Sequence, residues 1–211
     1  MKKYMFCAVA GVLLLSGCAA EKTAVVDGGN VRVEGAGIEI DFPESWTVYT
    51  GDEMYSLIYE RYSDSYSDVK SMKSALKTEG QEYILYALSD SGKAIALVTA
   101  QDLTVDSDGK RLDEAVTAAD YARSVHDNTI FEYRAGGYIT TDSSFGETTL
   151  GGKSGWLSAF DVRETEEEEE ILLGMSEFMF EQGNDVYSVQ FLYSDEESKA
   201  QTAEVDIVDI A

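Results

Sequence analysis

Thiol and imidazole side chains, which carry much of the nucleophilic and metal-binding chemistry of proteins, are scarce in this sequence. The 211 residues include two cysteines, Cys7 and Cys18, and one histidine, His126. A catalytic histidine needs a nucleophile and an orienting partner, and the chain has no Gly-x-Ser-x-Gly nucleophile elbow. A zinc site normally takes more His or Cys ligands than this chain offers. We therefore predict no catalytic residue, no metal site and no cofactor. We expect His126 to lie near a helix C-terminus, where the helix dipole favours a cation.

The segment Gly151-Gly152-Lys153-Ser154 has the ending of a phosphate-binding loop. That loop requires an earlier glycine at the position where this chain has Glu147. The surrounding residues also alternate as strands on both sides, whereas the loop precedes a helix. We therefore predict a turn that begins a strand, and no nucleotide as a ligand.

Acidic side chains dominate the charge of the protein. The chain has 16 Lys and Arg against 40 Asp and Glu, which gives a net charge of −24 and a pI near 4.1. Such a surface repels phosphate backbones, which excludes nucleic acid as a partner. Forty acids also allow a carboxylate pair of the glycosidase type, although abundance alone does not single one out.

Two acidic segments are candidates for cation binding. The densest is Glu166-Glu167-Glu168-Glu169-Glu170, which we interpret as a solvated loop, with binding to cations or to a basic surface as the alternative. Asp106-Ser107-Asp108-Gly109 begins like a calcium loop, but Lys110 and Arg111 stand where an EF-hand needs a ligand and a glycine. We predict no EF-hand there.

The first twenty residues have the composition of an export signal. Met1-Lys2-Lys3 is followed by an apolar run over residues 4–15 and by small residues at 16–20. The apolar run is too short for a permanent membrane-spanning helix. Its ending, Leu15-Ser16-Gly17-Cys18, resembles the lipobox of bacterial lipoproteins.

In the lipoprotein family a diacylglyceryl group is attached to the lipobox cysteine, and the signal peptide is cleaved just before it. The resemblance implies that residues 1–17 are the signal peptide and that Cys18 is the lipidated N-terminus. The alternatives are an ordinary secretory signal that ends in a chance cysteine, or an uncleaved anchor. Two acyl chains on one cysteine would suffice for stable anchoring.

Hydrophobic periodicity predicts one α+β domain over residues 37–211, after a tether at 18–36 with a possible short strand at 31–33. We predict a capping box from Ser194 to Glu197 ahead of a terminal helix marked by Ala200, Ala203, Ile207 and Ile210.

Five tyrosines before the sheet have helical spacing, and we expect packing rather than a binding face: Tyr49, Tyr55, Tyr59, Tyr62 and Tyr66. The predicted strands are 37–42, 46–48, 82–88, 93–100, 138–145, 154–163, 171–180 and 186–193. The other predicted helices are one or two within 52–77 and one over about 112–125.

The run Gly37-Ile38-Glu39-Ile40-Asp41-Phe42-Pro43-Glu44-Ser45-Trp46-Thr47-Val48 resembles the opening of PsbP-like domains, where a strand ends in a Phe-Pro-x-x-Trp bend. Leu150-Gly151-Gly152-Lys153 and Asp185-Val186-Tyr187 fit later strand openings of that family. The resemblance covers roughly residues 31 to 211. It implies an antiparallel β-sheet sandwiched by helices, accessory or binding roles, and no catalytic residue.

The sequence therefore favours a lipoprotein anchored through Cys18 on the extracytoplasmic face of the cell membrane. Its domain is expected to be a non-enzymatic binding or accessory module for a protein or envelope component, with a basic surface expected on the partner. A cell-surface hydrolase that uses acidic residues is the first alternative. A surface protein that binds cations or another ligand is the second.

Overall fold

Alternating apolar residues build two antiparallel sheets, which face each other across one hydrophobic core. The computed structural model describes residues 22–62, 65–104, 110, 112, 116–165 and 170–210. The strands are β1 (Ala24–Asp27), β2 (Asn30–Val33), β3 (Ile38–Asp41), β4 (Trp46–Tyr49), β5 (Gln81–Ser89), β6 (Ala94–Asp102), β7 (Ile139–Leu150), β8 (Lys153–Arg163), β9 (Leu173–Gln182), β10 (Asp185–Tyr193) and β11 (Asp206–Asp209). The helices are α1 (Gly51–Tyr62), α2 (Val69–Thr78), α3 (Ala118–Ala135) and α4 (Glu196–Thr202).

The larger sheet has the strand order β4-β5-β6-β10-β9-β8-β7, and the smaller one has the order β1-β2-β3-β11. Residues of the smaller sheet such as Val33, Ile40 and Ile207 share a buried core with Phe178 and Val189 of the larger sheet. The opposite face of the larger sheet is covered by α1, α2 and α3. The predicted α+β class with an antiparallel sheet is confirmed. A second sheet, together with α4 beside β6 and β10, covers the face where helices alone were expected.

The tether expected at residues 18–36 differs from the structure from residue 24 onward, although the short strand predicted at 31–33 lies within β2. Residues 24–33 form β1 and β2, so the folded body begins well before residue 37. Val31 and Val33 are completely buried, because their alternation points both side chains into the core between the sheets. Lys22 is also fixed: its backbone N–H donates to Glu82 at 3.0 Å, and its ammonium pairs with Asp185 at 2.6 Å.

The prediction of a terminal helix up to Ile210 is wrong. The helix α4 ends at Thr202, and the chain then adds β11 to the edge of β3. The capping box is also one residue later than predicted, since Asp195 accepts from the Ser198 N–H and Ser198 bonds back. Ile207 alternates into the core between the sheets, which makes a strand rather than a helix the way to bury it.

The predicted helix at about 112–125 is also displaced. The helix α3 begins at Ala118, after the N-cap Thr117, and continues to Ala135. Ile130 and Tyr133 prolong the buried stripe that begins at Ala118, so the packed face runs eight residues beyond the predicted end at 125. His126 consequently lies in the middle of the helix.

Candidate functional site

His126 lies on the face of α3 that packs against the larger sheet, and only 6% of its surface is exposed. Its Nδ1 is hydrogen-bonded to Ser158 Oγ of β8 at 2.8 Å, and its Nε2 lies 3.4 Å from Ser143 Oγ of β7. The rings of Phe145 and Phe160 lie beside the imidazole. The expected position near a helix C-terminus is therefore wrong, because the ring is held by sheet residues and not by the helix end.

A bulge in β7 brings Ser143 toward the imidazole. The pairing of β7 with β8 shifts between Thr141 and Ser144, and Asp142 has a positive φ of 51°. Such an extra residue re-aims the neighbouring side chains of a strand. The irregularity thus accounts for a polar contact that a regular strand would not make.

Glu177 places a carboxyl group on the neighbouring strand. It lies directly opposite Ser158 in the pairing of β8 with β9, and it accepts a hydrogen bond from Ser188 of β10. Glu177 is 6% exposed, and burial raises the pKa of its carboxyl group above the ordinary value. We call His126, Ser143, Ser158, Glu177 and Ser188 the α3 polar cluster.

The α3 polar cluster has the residue types of a hydrolytic triad without the access that a triad needs. A nucleophilic serine must reach a substrate carbonyl and must be activated by a base that a third group orients. Ser158 has no exposed surface, and the Glu177 carboxyl group accepts a hydrogen bond from Ser188 rather than from the imidazole. The arrangement serves as a hydrogen-bonded tie between α3 and the sheet.

The Gly151-Gly152 pair forms the predicted turn. Both glycines have positive φ angles, 56° and 89°, as a two-residue hairpin turn between β7 and β8 requires. Lys153 pairs with Asp209 at 3.1 Å, and the Gly151 carbonyl accepts from the Asp209 N–H at 2.6 Å. The turn therefore anchors β11, and its lysine is already engaged.

The tyrosine cluster packs as expected in the part that the structure describes. Tyr49, Tyr55, Tyr59 and Tyr66 lie against the core beneath α1 and α2. Tyr59 donates to the carbonyls of Tyr66 and Ser67, which closes the connection between the two helices. These rings stabilise the helix pair.

A feature that the sequence interpretation missed lies on the outer side of that helix pair. A groove of about 680 Å³ runs between the helices, and we call it the lysine groove. It is lined by Asp52 and Ser56 of α1 and by Lys70, Lys73, Ser74 and Lys77 of α2. The spacing of three and four residues between the lysines was available in the sequence as one helical face. It was overlooked because acidic residues dominate the chain.

Several candidates lie outside the described residues. They are Cys7, Cys18, Asp106, Asp108 and the glutamates at 166–169. Within the described ranges, no three His, Cys, Asp or Glu side chains are grouped so that they could hold a metal ion. Among the helices of those ranges, none is both long enough and apolar enough to cross a bilayer.

Comparison with known proteins yields fold similarity only. No protein-family model matches the chain, and no curated protein matches it. The solution structure of cyanobacterial PsbP (CyanoP) from Synechocystis sp. PCC 6803 is similar at 11% identity and a TM-score of 0.45, over 90% of this chain and 94% of that one. LpqN, which is involved in cell envelope biogenesis of Mycobacterium tuberculosis, is similar at 12% identity and a TM-score of 0.40, over 89% of this chain and 91% of LpqN.

A crystal structure from Bacteroides thetaiotaomicron is similar at 11% identity and a TM-score of 0.36. That similarity covers 86% of this chain and 48% of the other. At such low identities we transfer no functional residue from any of the three.

Proposed function

We propose that the protein is a lipid-anchored, extracytoplasmic and non-enzymatic binding module of the cell envelope. The lipobox Leu15-Ser16-Gly17-Cys18, preceded by a positively charged and then apolar segment, carries the proposal. Cleavage before Cys18 would leave the acyl chains at the start of the mature protein.

The fixed position of Lys22 supports a short connection between anchor and body. Three residues lie between Cys18 and Lys22, so the connection has four steps of about 3.5 Å and spans at most roughly 14 Å. The end of the sheet that holds Lys22, Glu82 and Asp185 would then lie close to the membrane surface. The strongly acidic body would be repelled from anionic headgroups and would stand upright on this short connection.

The side chains that could take part in catalysis are buried or ion-paired within the fold, which supports a binding role rather than a catalytic one. His126 and Ser158 are buried against each other, and Lys153 is paired with Asp209. The proposed partner is a protein or envelope component with a basic surface, since the chain carries a net charge of −24.

Metabolic labelling with an alkyne analogue of palmitate tests the anchor. We expect the wild-type protein and Cys7→Ala to be labelled, because Cys7 lies in the segment that is removed. Cys18→Ala should remain unlabelled. Protease added to intact spheroplasts should degrade the wild-type protein. Label on Cys18→Ala, or complete protection from protease, would contradict the proposal.

A further inference from the structure

The lysine groove is a basic site on a protein of opposite overall charge. Three of the chain's 16 Lys and Arg residues lie on two turns of α2, at 70, 73 and 77. Met72 and Leu76 face the core, so the lysines occupy the outward side of the same helix. This concentration is notable because the chain as a whole carries a charge of −24.

The three lysines differ in how they are used. Lys73 pairs with Asp52 at 2.9 Å and lies over the ring of Tyr55 at 4.5 Å. Lys70 and Lys77 are exposed, and the ammonium group of neither makes a hydrogen bond or an ion pair with a described residue. Because Asp52 pairs with Lys73, Lys70 and Lys77 are the two lysines of the groove whose ammonium groups are not ion-paired with a described residue.

The helix fixes the separation of these charges. Seven residues at 1.5 Å per residue place Lys70 and Lys77 about 10.5 Å apart along α2, on nearly the same face. Ser74, which lies between them, is exposed and adds a hydroxyl group to the lining. Val69 and the lysine stems supply an apolar floor.

Lysine points to phosphate rather than carboxylate as the anion. Planar carboxylates are recognised best by the two-pronged guanidinium of arginine, whereas lysine binds phosphate as a point charge. No arginine lines the groove, and its volume of about 680 Å³ suits a small ligand. A long polyanion would extend onto the acidic surface and be repelled.

We propose that the lysine groove binds a short ligand that carries two phosphate groups about 10 Å apart, with Lys70 and Lys77 as the charged contacts. The source of the phosphate is either a membrane headgroup or a free phosphate ester. A headgroup is within reach of the C-terminal end of α2, since β5 begins three residues after Thr78 and its Glu82 holds Lys22. Binding of phosphate by the groove does not depend on the lipid anchor, whereas the headgroup as its source rests on the proposed function.

Calorimetric titration of the full chain, in a non-ionic detergent at low ionic strength, tests the proposal with tetrapolyphosphate as the probe. The groove variant is Lys70→Gln with Lys77→Gln. The matched control is Arg32→Gln with Lys93→Gln, which removes the same charge from two other exposed positions, one on β2 and one in the turn before β6. We expect the control to bind like the wild-type protein and the groove variant to bind about fivefold to twentyfold more weakly. No heat from the wild-type protein at millimolar probe, or equal weakening in both double variants, would overturn the proposal.

A second arm of the experiment identifies the source. Mixed micelles that contain cardiolipin, a lipid whose headgroup carries two phosphates, are compared with micelles that contain phosphatidylcholine. Displacement of tetrapolyphosphate by cardiolipin alone would assign the groove to membrane headgroups. Retained binding in both micelles would assign it to free phosphate esters.

Discussion

His126 is of a residue type that is often catalytic, but in this fold its side chain has a structural role. Its ring links α3 to β8 through Ser158 and fills the space between Phe145 and Phe160. Burial lowers the pKa of the imidazole below its ordinary value of 6.5. The neutral form is thus the form that the fold holds at physiological pH.

Replacing this ring tests the structural role. His126→Ala leaves a cavity and an unsatisfied Ser158, which we expect to lower the free energy of unfolding by about 2–4 kcal/mol. The exposed Phe131 on the same helix provides the control, since Phe131→Ala should cost about 0.5 kcal/mol or less. Urea denaturation measures both, and equal losses in the two variants would rule out the tie.

The pH dependence of this cost follows from the lowered pKa. A group whose folded pKa is depressed stabilises the fold above its unfolded pKa, and this contribution is lost as the pH falls through the folded pKa. The cost of His126→Ala should therefore shrink as the pH is lowered from about 8 to about 5. A cost that grew with acidification would mean that the imidazolium is the stabilising form.

Glu177 titrates with the opposite sense. Burial raises the pKa of its carboxyl group above 4.5, so the folded protein holds the proton longer than the unfolded chain does. The stability that the neutral carboxyl contributes is present at low pH and is lost as the pH rises through the folded pKa. Glu177→Gln, which mimics the neutral form, should therefore gain in Tm relative to the wild-type protein as the pH rises.

Glu181 on the same strand is exposed and serves as the control for this comparison. Glu181→Gln removes the same charge from an exposed position, so its gain in Tm with rising pH should be smaller than that of Glu177→Gln. If both variants followed the same pH dependence, the effect would belong to the net charge of the chain and not to the buried carboxyl group.

At the scale of elements, the β7–β8 turn holds the last strand in place. A side chain at Gly151 would collide with the Ile207 carbonyl of β11 and would also require a positive φ. We expect Gly151→Ala to cost about 2–4 kcal/mol and to raise amide exchange at Asp209 and Ile210. Gly183 has a similar φ of 69° with open space around its Cβ position, so Gly183→Ala should cost only about 1 kcal/mol.

Chemical denaturation and hydrogen exchange together decide this prediction. The comparison separates backbone strain, which both variants share, from the collision, which only Gly151→Ala introduces. Equal costs, with β11 still protected from exchange, would show that the turn and the last strand are not coupled.

Sequence periodicity predicts helices and strands correctly where the local spacing of apolar residues matches the face that is buried in the fold. The strand alternation in β3 and β10 and the hairpin between β5 and β6 are examples. It was wrong at the C-terminus, because Ile207 and Ile210 are three residues apart and fit a helix locally. Residues 206–209 form a strand because they pair with the edge of β3. That edge is created by the tertiary fold and cannot be read from the local sequence.

The candidate sites are harder to predict from the sequence than the helices and strands are. The contact of His126 with Ser158 joins residues 32 positions apart, so no local pattern indicates it. The lysine groove combines a local pattern on α2 with Asp52 from α1, and only the first part can be seen in the sequence.

For the whole molecule, the two sheets and the fixed N-terminal segment shorten the expected tether. The body is held from Lys22 onward, so a lipid on Cys18 would restrict both the distance and the orientation of the domain relative to the membrane. In the function that we propose, the acidic surface faces outward, toward a partner with a basic surface.

Intact-mass analysis of the protein extracted from membranes tests the lipid anchor itself. We expect a mass that corresponds to residues 18–211 plus a diacylglyceryl group on Cys18, and loss of that added mass in Cys18→Ala. A mass that retains residues 1–17 with an unmodified Cys18 would contradict it.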